Sequence, residues 1–104
     1  MPKIGDYLES VFSLEGKVVL LTGAAGGIGE AFARGLAAAG GNVALCDMNV
    51  QRCGEIAAEL KQEGLCAKEY ELDVTDKASV KACVYALIKD FGRIDVSYKL
   101  RRHQ

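Results

Sequence analysis

The chain has 104 residues and a formal net charge of −1, with 50% hydrophobic and 26% charged residues, the proportions of one small globular domain with a single core. Such a balance gives no basic patch for nucleic acid, although Arg101-Arg102-His103 make the last residues locally basic. The first ten residues carry Asp6 and Glu9 and no apolar stretch of a signal peptide, and no apolar run reaches membrane-spanning length, so a cytoplasmic location is expected.

Residues 1–13 read as a polar leader, with at most a short amphipathic turn around Tyr7, Leu8, Val11 and Phe12. The apolar run Lys17-Val18-Val19-Leu20-Leu21 predicts a buried parallel strand. A helix follows, with Ile28, Ala31, Phe32, Gly35, Leu36 and Ala39 as its apolar stripe, and Gly40-Gly41 stops it. The second strand spans Asn42–Asp47. Asn49 is placed to cap a second helix that turns Cys53, Ile56, Ala57 and Leu60 inward, up to Gly64.

Cys66–Asp73 predicts a third strand, alternating, with Tyr70 and Leu72 on one face, as suits a sheet edge. Thr75 is placed to cap a third helix with Val80, Cys83, Val84, Leu87, Ile88 and Phe91 as its stripe. Gly92 closes that helix, and Arg93–Val96 begins a fourth strand. The four cysteines, Cys46, Cys53, Cys66 and Cys83, form no C-x-x-C pair, and the only histidine is His103. No zinc or other metal site is expected; the cysteines read as small apolar residues in a reducing compartment.

The strand-helix alternation argues for an α/β fold: a parallel sheet with right-handed crossovers and strand order 3-2-1-4. The first two helices are expected on one face of the sheet and the third alone on the other. Residues 14–96 then form a partial dinucleotide-binding domain of Rossmann type, the truncated first half of that fold.

Thr22-Gly23-Ala24-Ala25-Gly26-Gly27-Ile28-Gly29 is the most telling segment. It joins a strand to a helix, and its glycines follow T-G-x-x-x-G-x-G. A helix start offers unpaired N–H groups and a positive dipole end to a pyrophosphate, and glycines let the backbone approach it closely. The bland alternative is an ordinary strand-to-helix turn. A methyltransferase-like domain would carry an acidic residue and G-x-G-x-G here, which this spacing does not match. The segment resembles the short-chain dehydrogenase/reductase family, and the resemblance runs from about Phe12 to Val96. Phe12-Ser13-Leu14-Glu15-Gly16-Lys17 is similar to sugar-acid and polyol dehydrogenases of that family, gluconate 5-dehydrogenase among them, and to its 3-oxoacyl carrier-protein reductases.

Asp47 ends the second strand 18 residues past Gly29. An acidic residue about 20 residues past the loop accepts from adenosine ribose hydroxyls and repels a 2′-phosphate. Gly26, Met48 and Asn49 add no positive charge, so the residues favour NAD over NADP; the alternative is that Asp47 only starts a turn. The resemblance adds Asp73 and Val74 as an adenine-pocket pair, where the residues alone say only strand-to-helix turn. The cofactor-binding set is therefore Gly23, Gly27, Ile28, Gly29, Asp47, Asp73 and Val74.

The resemblance implies hydride transfer between a nicotinamide dinucleotide and a small alcohol or carbonyl substrate, in a full-length relative that is a homo-oligomer. It also implies a catalytic Ser, a Tyr-x-x-x-Lys and an Asn after the fourth strand, none of them found, with the chain ending where N-N-A-G should follow. Ser97-Tyr98-Lys99 is a poor substitute, because neighbours on a strand point to opposite faces. No catalytic residue is assigned, and the chain is expected to be inactive alone. A binding module without catalysis, or an inert remnant, is the alternative.

Ser97 to Gln104 replace an expected buried strand with polar and basic residues. Back-translated and shifted by one nucleotide, Tyr98 to Gln104 permit Ile-Asn-Cys-Ala-Gly-Ile-Asn, similar to the family's fourth strand and its turn. A one-nucleotide insertion near the Val96 codon is one reading of this tail. A shortened clone, an alternative transcript, a faulty gene model and a vector scar are the others. An isolated chain of this kind is expected to be marginally stable, because it leaves a strand edge and an apolar face open.

Overall fold

Apolar runs of about five residues, each followed by an amphipathic helix, are buried only if the strands stack side by side under the helices. The computed structural model describes residues 13–100 and has this arrangement. Tyr7, Leu8, Val11 and Phe12 of the expected leader lie outside the described residues, as do residues 101–104. Four strands, β1 (Val18–Thr22), β2 (Asn42–Asp47), β3 (Cys66–Glu71) and β4 (Val96–Lys99), alternate with α1 (Gly27–Ala38), α2 (Val50–Gln62) and α3 (Lys77–Phe91). All pairings are parallel and the order is β3-β2-β1-β4, as expected.

Strand periodicity divides the core into two layers. Leu21, Val43 and Leu45 face α1 and α2, where they meet Ala33, Ala37, Cys53, Ile56, Ala57 and Leu60. Val18, Leu20, Ala44 and Cys46 face α3, where they meet Tyr70, Leu72, Cys83 and Leu87. Burial of each large aliphatic side chain contributes about 1.5–3 kcal/mol. The two-plus-one arrangement of helices is the expected one.

Several local expectations shift. In α1 the buried residues are Gly29, Ala33 and Ala37, whereas Ile28 is 71% and Phe32 44% exposed. Small side chains at every fourth position let the helix lie close to the sheet, and that contact outweighs the larger apolar stripe. In α3 only Cys83 and Leu87 are fully buried, since a single helix covers that face and Val80, Val84 and Ile88 sit at its flanks. The α2 expectations hold: all four inward residues are buried, and the Arg52 N–H donates to Asn49 Oδ1 (3.1 Å).

The cap of α3 is Asp76, not Thr75; its Oδ1 accepts from the Ala78 N–H at 3.0 Å. A carboxylate is the stronger acceptor for a helix start, and the Thr75 hydroxyl is already donating to Asp73 Oδ1 (2.6 Å). β3 ends at Glu71, with Leu72 buried just beyond it. β4 starts at Val96 and takes in Ser97, Tyr98 and Lys99, so polar residues stand where a buried strand was expected. The register is Val19↔Val96 to Thr22↔Lys99. Main-chain pairing with β1 suffices to hold them, because β4 lies at the sheet edge and its side chains need no full burial.

Candidate functional site

In an open parallel sheet the strand C-terminal ends form a crevice where neighbouring crossovers diverge. Here the loop after β1 is tied to the end of β2. The Gly23 and Ala24 N–H groups donate to the Cys46 carbonyl (2.9 and 3.3 Å), and the Ala25 N–H donates to Asp47 Oδ2 (3.3 Å). Gly23 has φ +80°, a left-handed conformation that glycine takes without strain. Gly29 is the close-packing glycine: a Cβ built there would lie 2.1 Å from the Gly23 carbonyl oxygen. Gly27 meets nothing within 4 Å of such a Cβ. The first N–H groups of α1, at Gly27, Ile28 and Gly29, have no intrahelical acceptors and point toward the loop side.

A cleft of about 640 Å³ opens beside this loop, and Gly23, Asp47, Asp73 and Val74 all line it. The structure thus gathers four of the seven expected residues on one cavity. Gly27, Ile28 and Gly29 do not line it; they form the helix start next to Gly23.

The Asp47 carboxylate is buried, at 5% exposure, and its Oδ1 accepts from the Asn49 N–H at 2.9 Å. Asp73 Oδ1 accepts from both the Thr75 hydroxyl (2.6 Å) and the Thr75 N–H (2.9 Å). Those bonds hold the Asp73 carboxyl below its usual range, the hydroxyl contributing most. The Asp73 N–H in turn donates to Ser79 Oγ at 2.9 Å, which fixes the turn into α3.

Met48, Lys99 and Leu100 also line the cleft and were not expected there. The signal for Lys99 and Leu100 is the register: pairing Thr22 with Lys99 sets them beside the glycine loop. A Cβ on Gly23 would lie 3.0 Å from the Leu100 carbonyl oxygen, so that glycine also leaves room for the residue just past β4. Tyr98 turns the other way, its ring 6.4 Å from that of Phe32. Strand alternation therefore separates Tyr98 from Lys99.

Among the described residues, no group of three or more His, Cys, Asp or Glu side chains gathers to hold a metal. No helix of the described residues is long and apolar enough to cross a membrane.

A family profile described as short chain dehydrogenase matches residues 17–98, from β1 into β4. The chain belongs to this family. Its relatives include a D-threitol dehydrogenase of Mycolicibacterium smegmatis, 42% identical over 85 residues, which cover 82% of this chain and 33% of that protein. An NADP-dependent mannitol dehydrogenase of Aureobasidium melanogenum is 44% identical over 99 residues, or 91% of this chain and 37% of its own length. A solved 3-ketoacyl-(acyl-carrier-protein) reductase from Brucella melitensis, complexed with NADH, superposes with a TM-score of 0.75 at 35% identity. That superposition covers 82% of this chain and 34% of the reductase. This short-chain dehydrogenase chain thus spans about a third of the length of the relatives it matches.

One Tyr-x-x-x-Lys spacing does occur in the chain, at Tyr85 and Lys89 of α3, contrary to the expectation of none. Neither residue lines the cleft, and Tyr85 is 76% exposed. The spacing puts both on one helix face, but that helix lies on the flank of the sheet and not at its crevice.

Proposed function

We propose that this chain is the dinucleotide-binding part of an NAD-dependent short-chain oxidoreductase acting on a polyol, sugar acid or similar small alcohol. The observation that carries the reading is the cleft itself, which brings Gly23, Asp47, Asp73 and Val74 together at the strand ends. A dinucleotide fits these residues. A Cβ at Gly29 would collide with the loop backbone and one at Gly23 would crowd the Leu100 carbonyl, and the α1 start beyond them would offer N–H groups to a pyrophosphate. In this reading Asp47 would accept from the adenosine ribose, and Asp73 with Val74 would line the adenine.

The bound cofactor would supply a hydride acceptor or donor. The residues described here would bind and orient it, and none is assigned to proton transfer. The substrate class follows the polyol dehydrogenases among the relatives. The cysteine spacings, which form no C-x-x-C pair, support a reducing, cytoplasmic compartment.

NAD is favoured over NADP because a buried carboxylate at Asp47 opposes a 2′-phosphate. Lys99 in the same cleft works in the other direction. Fluorescence titration of the chain with NADH and with NADPH tests the reading. Saturable binding, at least tenfold tighter for NADH, is the expected result; equal or tighter NADPH binding sinks the NAD preference, and no saturable binding of either sinks the proposal. A second reading, a binding module without catalysis, is favoured by Tyr85 and Lys89 lying outside the cleft. Saturable NADH binding together with no NAD reduction on polyols would support it.

A further inference from the structure

We propose that Cys46 and Cys83 form an oxidisable dithiol, which a hydroperoxide converts to a reversible disulfide tying α3 to β2 beside the cleft. The two sulfurs lie 3.7 Å apart although the residues are 37 positions apart in sequence. Both belong to the layer between the sheet and α3. The other two cysteines stand elsewhere: Cys53 is buried in the opposite layer and Cys66 is exposed on β3.

Thiols in contact across two elements need only close to about 2.05 Å for a bond, a movement that χ1 rotation and a small helix shift supply. Cys66 and Cys53 each face a different environment and have no such neighbour among the hydrogen-bonded sulfur pairs of the described residues.

The pair is also differentiated chemically. The hydrogen bond between the two thiols, in which either sulfur can donate, draws Cys83 below its ordinary range, while the same bond and burial push Cys46 upward. Cys83 keeps 4% exposure where Cys46 has none, so it is the sulfur that an oxidant from solution reaches first.

The step balances as follows. Cys83 gives up its thiol proton and its sulfur attacks one peroxide oxygen; the O–O bond breaks, Cys83 becomes a sulfenic acid, and the departing oxygen leaves with that proton as water or an alcohol. The Cys46 sulfur then attacks Cys83 Sγ; the S–S bond forms, the S–O bond breaks, and hydroxide leaves with the Cys46 proton as water. Two thiols lose two electrons in total and the peroxide gains them. A dithiol reductant reverses the reaction. The inference rests on the two sulfurs alone and does not depend on dinucleotide binding.

The test uses the full chain treated with hydrogen peroxide in native buffer, then unfolded, alkylated and digested with trypsin. The four cysteines fall on four different tryptic peptides, with Cys46 in residues 35–52 and Cys83 in residues 82–89. The expected result is one cross-linked species joining those two peptides, with Cys53 and Cys66 still alkylated, and its disappearance on reduction. The same treatment in denaturant should give mixed linkages, and a Cys66→Ala variant should keep the native pattern. Linkage of Cys53 or Cys66 to either residue as the main native product, four free thiols after treatment, or a native pattern equal to the denatured one overturns the proposal.

Discussion

The Asp47 carboxylate, at the end of β2, accepts the Ala25 N–H from 22 residues earlier in the chain (3.3 Å). The glycine loop and the acidic residue that follows it are therefore parts of one hydrogen-bonded unit. The same carboxylate holds the turn into α2 through the Asn49 N–H. Asp47 thus shapes the cleft before any ligand enters it.

Two substitutions separate these roles. Asp47→Ala strips an acceptor from two backbone N–H groups and should destabilise the fold by about 1–3 kcal/mol in urea unfolding. Asp47→Asn keeps an oxygen acceptor but removes the charge. It should raise the NADPH-to-NADH affinity ratio about tenfold, about 1.4 kcal/mol, in paired fluorescence titrations. An unchanged ratio would mean that Asp47 is structural only.

Gly29 and Gly27, two residues apart, should respond in opposite directions to alanine. At Gly29 the new Cβ meets the Gly23 carbonyl oxygen at 2.1 Å and Ala24 Cα at 2.8 Å, both backbone, so the loop must move. A loss of about 1–3 kcal/mol is expected, together with weaker dinucleotide binding. At Gly27 the Cβ meets open space, and restricting the unfolded chain should stabilise by about 0.4–1 kcal/mol. Thermal melts of the two variants side by side decide the matter.

Alkaline solutions should weaken the fold through Cys53. Burial, with smaller contributions from the Asp47 and Glu69 charges, pushes its thiol up from 9.0 to about 12. Above the ordinary thiol range the unfolded chain has lost that proton while the folded chain keeps it. Cys53 therefore contributes its full stability below about pH 8.5, and that contribution falls as pH rises toward 12, by at most about 1.4 kcal/mol per pH unit. Cys53→Ala should flatten the decline in urea midpoints measured between neutral and strongly alkaline pH. A slope identical to that of the parent chain would refute the assignment.

The β4 edge should drive self-association. Among the described residues β4 pairs only with β1, and Phe32 (44% exposed) and Tyr98 (40%) form an apolar patch beside it. Unpaired strand groups next to exposed rings favour edge-to-edge contacts. The chain should associate at micromolar concentration in light scattering, and Phe32→Glu with Tyr98→Lys should suppress this. A chain that stays monomeric without the substitutions would show the edge to be harmless.

What the sequence determined by itself is the list of elements and the local chemistry of each. The alternation of apolar runs with helical stripes fixed the parallel sheet and its order, and Asn49 capped α2 because a cap needs only its own first turn. The residues gathered on the cleft were legible for the same reason: Gly23, Asp47, Asp73 and Val74 all end a strand or lie within three residues of its end, and parallel strands end on one side.

Tertiary structure alone decided the rotation of α1, which buries Gly29, Ala33 and Ala37 in place of Ile28 and Phe32. It also decided the extension of β4 through polar Ser97 and Lys99, the arrival of Lys99 in the cleft, and the contact of Cys46 with Cys83. Periodicity within a segment records that one face is buried. Which neighbour it meets, how closely and in what register depend on strands and helices many residues away, whose packing no local pattern encodes.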